Sequence, residues 1–236
     1  MKIIVLSITN YKEKDAIITA ISQSETITFL ARGIKDPKSK NAAINNPLMI
    51  ADIELMDGDF KYPVLKSFKE LFVPMKLKMD STYLGTLLLM NEMMLHFFPD
   101  EEKPRMFAAL EEGVVALKKS DNWLITLLIY MAQAIKVGGF ELEVNRCVIC
   151  GKKNRIVAFS FVEGGFICEE CANEETERDL SKDQMILLRA IFNSRDYSLI
   201  ESSFNKEDAL VLLNKFIEFM QEGFGYRLKN IRLILD

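Results

Sequence analysis

The chain has 236 residues, 49% of them hydrophobic and 27% charged, which is enough to bury a core and to divide into two or three units. Its longest apolar run, residues 123–135, is interrupted by Thr126 and Gln133 and is too short for a membrane span of about 20 residues. The net charge of −4 argues against a nucleic-acid partner. Residues 1–80, however, carry 12 Lys/Arg against 10 Asp/Glu, so the distribution of charge along the chain is more informative than the total.

The first part of the chain, to about Val73, has the composition of β-structure. Short runs rich in Ile, Val and Thr, separated by turn residues, predict four strands at residues 3–6, 16–21, 25–31 and 49–55, with a possible fifth at 62–68. Four or five short strands favour a small barrel, and the OB-fold is the commonest five-stranded case.

After Pro74 the pattern changes to helical. Helices are predicted over residues 81–98, 104–119 and 123–137, the third capped by Asp121 or Asn122 and ending at Gly138. Two more helices are predicted after the cysteines, one capped by Ser181 and one starting at residue 205 or 206. Residues 226–235 fit either a strand or a short helix.

These patterns predict an α+β protein. We expect an OB-fold barrel at residues 1–75 and a helical domain formed by residues 80–142 and 179–236. A zinc-binding module at residues 143–178, named the cysteine module from here on, is predicted to be inserted in the helical domain.

All four cysteines lie in this module as two CxxC pairs, Cys147 with Cys150 and Cys168 with Cys171. A gap of 17 residues separates the pairs, and this spacing is typical of a four-thiolate zinc site. Between them, residues 156–161 predict a strand and residues 163–165 a tight turn, a pattern that is typical of a β-hairpin.

The alternatives are two disulfides or four unrelated buried thiols. The chain does not open with a secretory leader, so we expect a cytoplasmic protein, and disulfides are rare in that compartment. Four thiolates saturate a zinc ion and leave no position for water or substrate, so the expected role of the metal is structural.

The sequence offers little catalytic chemistry. The single histidine, His96, lies in an apolar helix and is interpreted as a core or helix-end residue. No phosphate-binding loop is present, and Gly223-Phe224-Gly225 is interpreted as a helix end and not as a dinucleotide loop. Clustered carboxylates fit solvated faces. We therefore expect the protein not to be an enzyme.

Several segments together resemble the RecO family of bacterial DNA-repair and recombination mediators. Residues 31–40 (Ala-Arg-Gly-Ile-Lys-Asp-Pro-Lys-Ser-Lys) resemble the family's signature Gly-Ala-Arg-x-Pro-x-Ser-Lys loop, and residues 11–19 its opening Tyr-x-Glu-x-Asp strand. Residues 139–151 and 159–168 are similar to the zinc-containing form of the family. The resemblance runs from about residue 11 to residue 171.

The resemblance implies an OB-fold, a helical domain and an architectural zinc ion. It also implies binding of single- and double-stranded DNA, annealing of complementary strands, and action with RecR to load RecA onto DNA coated by single-stranded DNA-binding protein. Such a protein would work in the cytoplasm near the nucleoid, with no membrane partner.

For DNA contact we expect the basic loop, defined as residues 32–40, to be the main element. Its cations can meet successive phosphates without reading sequence, and neighbouring lysines extend the surface. The predicted DNA-binding residues are Arg32, Lys35, Lys38, Lys40, Lys12, Lys14, Lys66 and Lys69. The alternative is that a Lys-rich surface loop only increases solubility.

Two other functions stay open at this point. One is an adaptor that touches DNA little and docks the acidic, apolar tail of single-stranded DNA-binding protein on the helical domain, with Lys136 or Arg189 at the rim of an apolar pocket. The other is an enzyme with an accessory zinc ribbon, such as a nuclease, which would need clustered carboxylates or an open metal site.

Overall fold

The computed structural model describes residues 1–56, 61–74, 81–119, 122–176, 178, 180–194, 197 and 204–235. The chain divides into two compact units, one formed by residues 1–119 with 228–236 and the other by residues 120–227. The division predicted from the sequence, into a barrel, a helical domain and an inserted module, has different boundaries from these two units. It stays a prediction.

The first unit begins with a closed five-stranded barrel in the order β1-β2-β3-β5-β4. Its strands are β1 (Lys2–Tyr11), β2 (Asp15–Ile21), β3 (Thr26–Ala31), β4 (Ile50–Met56) and β5 (Val64–Phe72). Neighbours are antiparallel except β3 and β5, which meet in parallel at Leu30 and Val64. Alternate residues point inward, as β2 shows with its buried Ala16, Ile18 and Ala20. The predicted OB-type barrel is confirmed.

The first strand is longer than its apolar run. Residues 7–11 also pair with β2, and the last pair joins Tyr11 to Asp15. Most of their side chains are polar, as in a half-exposed strand. The register of this pair shifts between Val5 and Ser7, and the Asn91 side-chain amide donates to the carbonyl of Leu6, inside that bulge, at 3.0 Å.

Asn91 belongs to the helical part of the first unit. This part contains α1 (Ser81–His96), a 3₁₀ turn (Lys103–Met106), α2 (Phe107–Lys119) and α6 (Arg232–Leu235). Gly85 lets α6 approach α1 closely, because a Cβ there would lie 2.9 Å from the Cβ of Leu233. The end of the chain is thus a short helix packed on α1.

The buried carboxylate of Glu92 fixes the segment that leads into α6. It accepts the backbone N–H groups of Lys229 at 2.7 Å and of Asn230 at 2.9 Å. A buried carboxylate needs such donors, and these two N–H groups precede a helix and have no intrahelical acceptor.

In the described part of the second unit there are three helices, and their caps are among those that the sequence predicts. In α3 (Trp123–Val137) the Asn122 side chain accepts from the N–H of Ile125 at 3.3 Å. Ser181 and Gln184 form a capping box at the start of α4 (Lys182–Asn193). The last helix, α5 (Lys206–Phe224), starts after Asn205 and ends at Gly225, whose φ is 67°.

The cysteine module adds a three-stranded sheet to the second unit. Its strands are β6 (Glu143–Cys147), β7 (Ile156–Ser160) and β8 (Gly165–Cys168), in the order β6-β8-β7. The predicted hairpin is the antiparallel pair of β7 and β8, and β6 lies parallel to β8 on its other edge. Among the described helices, none combines the length and the apolar character that a membrane crossing needs.

Candidate metal centre and basic surface

The four cysteine sulfurs converge on one point of the cysteine module. The Sγ atoms of Cys147, Cys150, Cys168 and Cys171 all lie within 4.8 Å of one another, and those of Cys150 and Cys168 are 3.5 Å apart. Four sulfurs about 2.3 Å from a tetrahedral zinc ion lie about 3.8 Å from one another. The donor set and its spacing therefore fit a tetrahedral metal ion.

Each CxxC pair closes a tight turn that aims its two sulfurs inward. The N–H of Gly151 donates to the carbonyl of Cys147 at 2.8 Å, and the N–H of Cys171 to that of Cys168 at 3.0 Å. Strand pairing supports the first turn, since the N–H of Val148 donates to the carbonyl of Phe166 at 2.7 Å. The two turns are thereby joined through β8, which leads directly into the second pair.

The thiols of this cluster differ in acidity. Burial opposes ionisation of Cys147, but hydrogen bonds from the backbone N–H groups of Cys150, Cys168 and Ile149 outweigh it and lower the pKa of Cys147 to about 6. Hydrogen bonding to Cys150, followed by burial, raises the pKa of Cys171 to about 12. Without metal, these shifts favour a thiolate at Cys147 and a protonated thiol at Cys171.

The module is tied to the helices of its own unit by an arginine. Arg189 of α4 donates through Nε to the carbonyl of Val144 at 2.9 Å, and its guanidinium lies 5.0 Å from the centre of the Phe166 ring. Since Val144 is in β6 and Phe166 in β8, this one side chain holds two strands of the sheet.

A second candidate site, the basic loop, is held against the turn between β1 and β2. The Asp15 carboxylate accepts the N–H of Gly33 at 2.9 Å, and the N–H of Lys35 donates to the carbonyl of Lys14 at 3.2 Å. Gly33 has a φ of 68°, where a side chain is strained. Residues 12–14 and the basic loop therefore form one surface, named the basic surface from here on.

The basic loop is ordered by its own polar groups. The carboxylate of Asp36 accepts the N–H of Lys38 at 3.0 Å, and the carbonyl of Asp36 accepts the N–H of Ser39 at 2.8 Å. The side-chain amide of Asn41 donates to the carbonyl of Arg32 at 2.9 Å and so joins the ends of the loop. Backbone groups are thereby paired while the cationic side chains point to solvent.

The structure brings six of the eight predicted DNA-binding cations together on this surface. All six are exposed: Lys12, Lys14, Arg32, Lys35, Lys38 and Lys40. Three acids, Glu13, Asp15 and Asp36, accompany them, which leaves a net charge of 6 − 3 = +3 in residues 11–15 and 32–40. Lys14 and Asp36 approach to only 4.0 Å and are both solvated, so this pair neutralises little.

The other two predicted cations lie on β5. Lys66 is paired with Glu54 of β4 at 3.3 Å, and Lys69 is opposite Asp52 in the register of the two strands. Ser67 and Lys66 lower the pKa of Glu54, so its charge persists beside Lys66. This face is therefore balanced in charge, and the DNA role of Lys66 and Lys69 stays a prediction.

The two cations predicted at the rim of a protein-docking pocket make contacts within the second unit. Lys136 donates to the carbonyl of Phe192 and lies over its ring, 5.5 Å from the centre, and Arg189 holds the sheet as described above. A structural role accounts for both side chains, and their role in docking stays a prediction. His96 is exposed at the end of α1, as expected for a helix-end residue.

Sequence reasoning missed the residues that position the basic surface. Asp15 enters the prediction only within residues 11–19, which resemble a strand of the family, and Asn41 is not among the predicted site residues. The available signal was local, since an Asp before a strand and Asn or Ser residues in a turn both favour side-chain to backbone hydrogen bonds. The pairing of Asp15 with Gly33 over 18 residues is not visible in either segment alone.

Comparison with known proteins identifies the family of the chain. Residues 1–67 match the family model described as "Recombination protein O N terminal", and residues 79–227 match "Recombination protein O C terminal". The chain is 23% identical to the DNA repair protein RecO of Oceanobacillus iheyensis over 240 aligned residues, covering 99% of this chain and 91% of that protein. It is 26% identical to the RecO of Bacillus subtilis, covering 98% of this chain and 91% of that protein. The two matched models together span most of the sequence, and the chain therefore belongs to the recombination protein O (RecO) family.

Proposed function

We propose that this protein is a DNA-repair and recombination mediator that binds single- and double-stranded DNA without sequence specificity. Family membership supports the role in DNA repair and recombination. The observation that carries the DNA contact is the joining of residues 12–14 to the basic loop through Asp15 and Gly33. It concentrates six exposed cations on one surface of a protein whose net charge is −4.

The physical basis is counterion release. Each Lys or Arg that neutralises a phosphate releases a condensed cation, so affinity falls as salt rises. Flexible side chains on a loop meet phosphates in any sequence and in either single- or double-stranded form. Holding two strands on one cationic surface also lowers their mutual repulsion, which favours annealing of complementary strands.

The cysteine cluster has an architectural role in this proposal, with zinc as its ion. Four thiolates from two CxxC turns are the ligands of structural zinc sites, and they leave no coordination position for a substrate. The ion would join the turn after β6 to the turn after β8, while the DNA contacts lie in the barrel. The proposed activity needs no chemical step, and the protein would act without being an enzyme.

The proposed partners follow from the family. With RecR, the protein would load RecA onto DNA coated by single-stranded DNA-binding protein, in the cytoplasm at the nucleoid. Binding, annealing and hand-over are all surface functions, which is consistent with a working site on an exposed loop.

Strand annealing tests the proposal. The double variant Lys35→Glu/Lys38→Glu reverses two exposed charges of the basic loop and leaves the backbone hydrogen bonds of both residues possible. We expect annealing of complementary oligonucleotides to slow by about tenfold or more, since two of the six cations become anions. The control Lys182→Glu/Lys206→Glu makes the same charge change at exposed helix starts of the second unit. Equal annealing rates in both variants would refute the proposed DNA surface.

A further inference from the structure

The cysteine module has a groove next to its cysteine cluster. It has a volume of about 220 Å³ and lies between the first CxxC turn, the turn from β7 to β8 and the segment after Cys171. Ile149, Val162 and Ile167 form its apolar lining, and Glu163 and Glu175 are among its polar lining residues. This feature is named the acidic groove.

Two of the three apolar side chains that line the groove are exposed to solvent, while Ile167 is buried. Val162 is 84% exposed and Ile149 is 56% exposed. Both stand at the tips of short turns, where polar residues satisfy the local structure equally well. Most of the Val162 side chain and about half of the Ile149 side chain lie in solvent at one groove, and exposed apolar groups grouped at a groove are a feature of partner-binding surfaces.

The two charged residues that line the groove, Glu163 and Glu175, are both acidic. Residues 163–176 contain five glutamates and no lysine or arginine. Two of these glutamates are engaged, Glu169 with Arg155 at 3.7 Å and Glu170 with Lys152. The other three, Glu163, Glu174 and Glu175, form no ion pair within the described part of the chain. Phosphates and acidic peptides are therefore repelled here, and a cationic segment is attracted.

The rims of the groove are held in place. Ser160 Oγ accepts the N–H of Glu163 at 3.1 Å, and Asn173 Oδ1 accepts the N–H of Glu175 at 3.0 Å. The first CxxC turn and the segment after the second are joined through the cysteine cluster itself. The groove is thus a formed surface whose walls meet because the four sulfurs converge.

We propose that the acidic groove binds a short segment of a partner protein in which one or two apolar side chains are flanked by lysine or arginine. The apolar side chains enter between Ile149 and Val162, and the flanking cations pair with Glu163 and Glu175. Such a segment is opposite in charge to DNA and to an acidic tail. The groove therefore gives the module a protein-binding role that is separate from the basic surface, in addition to the architectural role of its cysteines.

A peptide selection tests this inference on the full chain with its metal bound. A random library of short displayed peptides is selected against the protein, and the enriched sequences are synthesised and titrated. We expect enrichment of peptides with adjacent apolar and basic residues. We expect Val162→Asp and Glu163→Lys/Glu175→Lys each to weaken their binding by about tenfold or more.

Matched controls are available in the same unit. Ile186→Asp replaces another exposed apolar residue, on α4, and Glu218→Lys/Glu222→Lys makes the same charge change on α5. Both controls should keep wild-type affinity for the selected peptides, and all variants should keep their metal and their DNA affinity.

Three results would overturn the inference. A selection that enriches no peptide, or that enriches acidic or purely basic peptides, contradicts the stated chemistry of the partner. Selected peptides that bind the groove variants as tightly as the wild type place the site elsewhere. A dimer in sedimentation experiments that dissociates on Val162→Asp would make the groove an interface between copies of this chain.

Discussion

Asp15, the first residue of β2, accepts the backbone N–H of Gly33 at 2.9 Å and so fixes the start of the basic loop to the neighbouring hairpin. The bond spans 18 residues and unites two groups of cations that are separate in sequence. In the proposed function an acidic residue thus organises a cationic surface. This relationship gives the first prediction.

Removing the Asp15 acceptor should weaken DNA binding without changing any lysine. In Asp15→Ala the loop loses its anchor, with an expected loss of about 1 to 3 kcal/mol in unfolding free energy, typical for a charged hydrogen-bond acceptor. Removing an anion from a cationic surface would by itself strengthen DNA binding. Asp15→Asn is therefore the matched control, because it removes the charge and keeps an oxygen that can accept from Gly33. We expect Asp15→Ala to bind DNA more weakly than Asp15→Asn in fluorescence anisotropy, and equal affinities would contradict the anchoring role.

Loss of the Asn91 side chain should destabilise the barrel. Its buried side-chain amide donates a hydrogen bond of 3.0 Å to the carbonyl of Leu6, which lies in the bulge of β1. Asn91→Ala leaves that carbonyl unpaired, at an expected cost of about 1 to 3 kcal/mol. Urea unfolding measures this cost. Asn10→Ala, on the exposed end of the same strand, should shift stability by no more than about 0.5 kcal/mol.

The carboxylate of Glu92 should control the order of the chain end. It accepts the N–H groups of Lys229 and Asn230 ahead of α6. In Glu92→Ala we expect the amide of Lys229 to exchange with deuterium at least about tenfold faster, because its opening free energy falls by more than about 1.4 kcal/mol. Glu92→Gln retains one acceptor oxygen and should show an intermediate effect. Unchanged exchange in both variants would show that packing of α6 on α1 alone holds the segment.

Metal removal should unfold the cysteine module and spare DNA binding. If the cysteine cluster holds the proposed zinc ion, Cys147→Ser should abolish its binding, measured by atomic absorption, and lower thermal stability, because structural zinc binding is coupled to folding. The remaining folded protein should still bind DNA through the barrel. Full metal content in Cys147→Ser would contradict the four-thiolate site.

Metal affinity should also depend on pH in one direction. The raised pKa of Cys171, about 12, means that this thiol keeps its proton at neutral pH without metal. Metal binding must displace that proton, so affinity rises with pH and acidification releases the ion. Proton release on adding zinc to the stripped protein, measured with an indicator dye in weak buffer, checks the sign. Proton uptake or no change would contradict it.

The features that the sequence predicted correctly are those encoded by local patterns. The spacing of Cys147, Cys150, Cys168 and Cys171 predicted the convergence of their sulfurs, because the ligand geometry of zinc restricts such spacings. Helix ends were predicted from local capping signals, as with Asn122, one of two candidates for the start of α3, and with residues 223–225 at the end of α5. The β-branched runs gave the strands, and their number in a short segment gave the barrel.

The features that escaped prediction depend on contacts between distant segments. The sequence around Asn91 does not indicate that its side chain donates a hydrogen bond to a carbonyl 85 residues earlier. The parallel pairing of β6 with β8 needs knowledge of the folded cysteine cluster, and residues 226–235 fitted either a strand or a helix until their packing on α1 was known. Gly85 permits the close approach of Leu233, a contact that its local sequence does not indicate. Amino-acid propensity carries no information on such tertiary contacts.

The salt dependence of DNA affinity tests the central claim most directly. For duplex DNA, the logarithm of the binding constant falls with the logarithm of salt concentration by about 0.9 for each phosphate neutralised. If the basic surface makes the contact, Lys35→Glu/Lys38→Glu should make this slope shallower by about 2, while Lys182→Glu/Lys206→Glu should leave it unchanged. A wild-type slope in the Lys35→Glu/Lys38→Glu variant would contradict DNA binding through the basic loop.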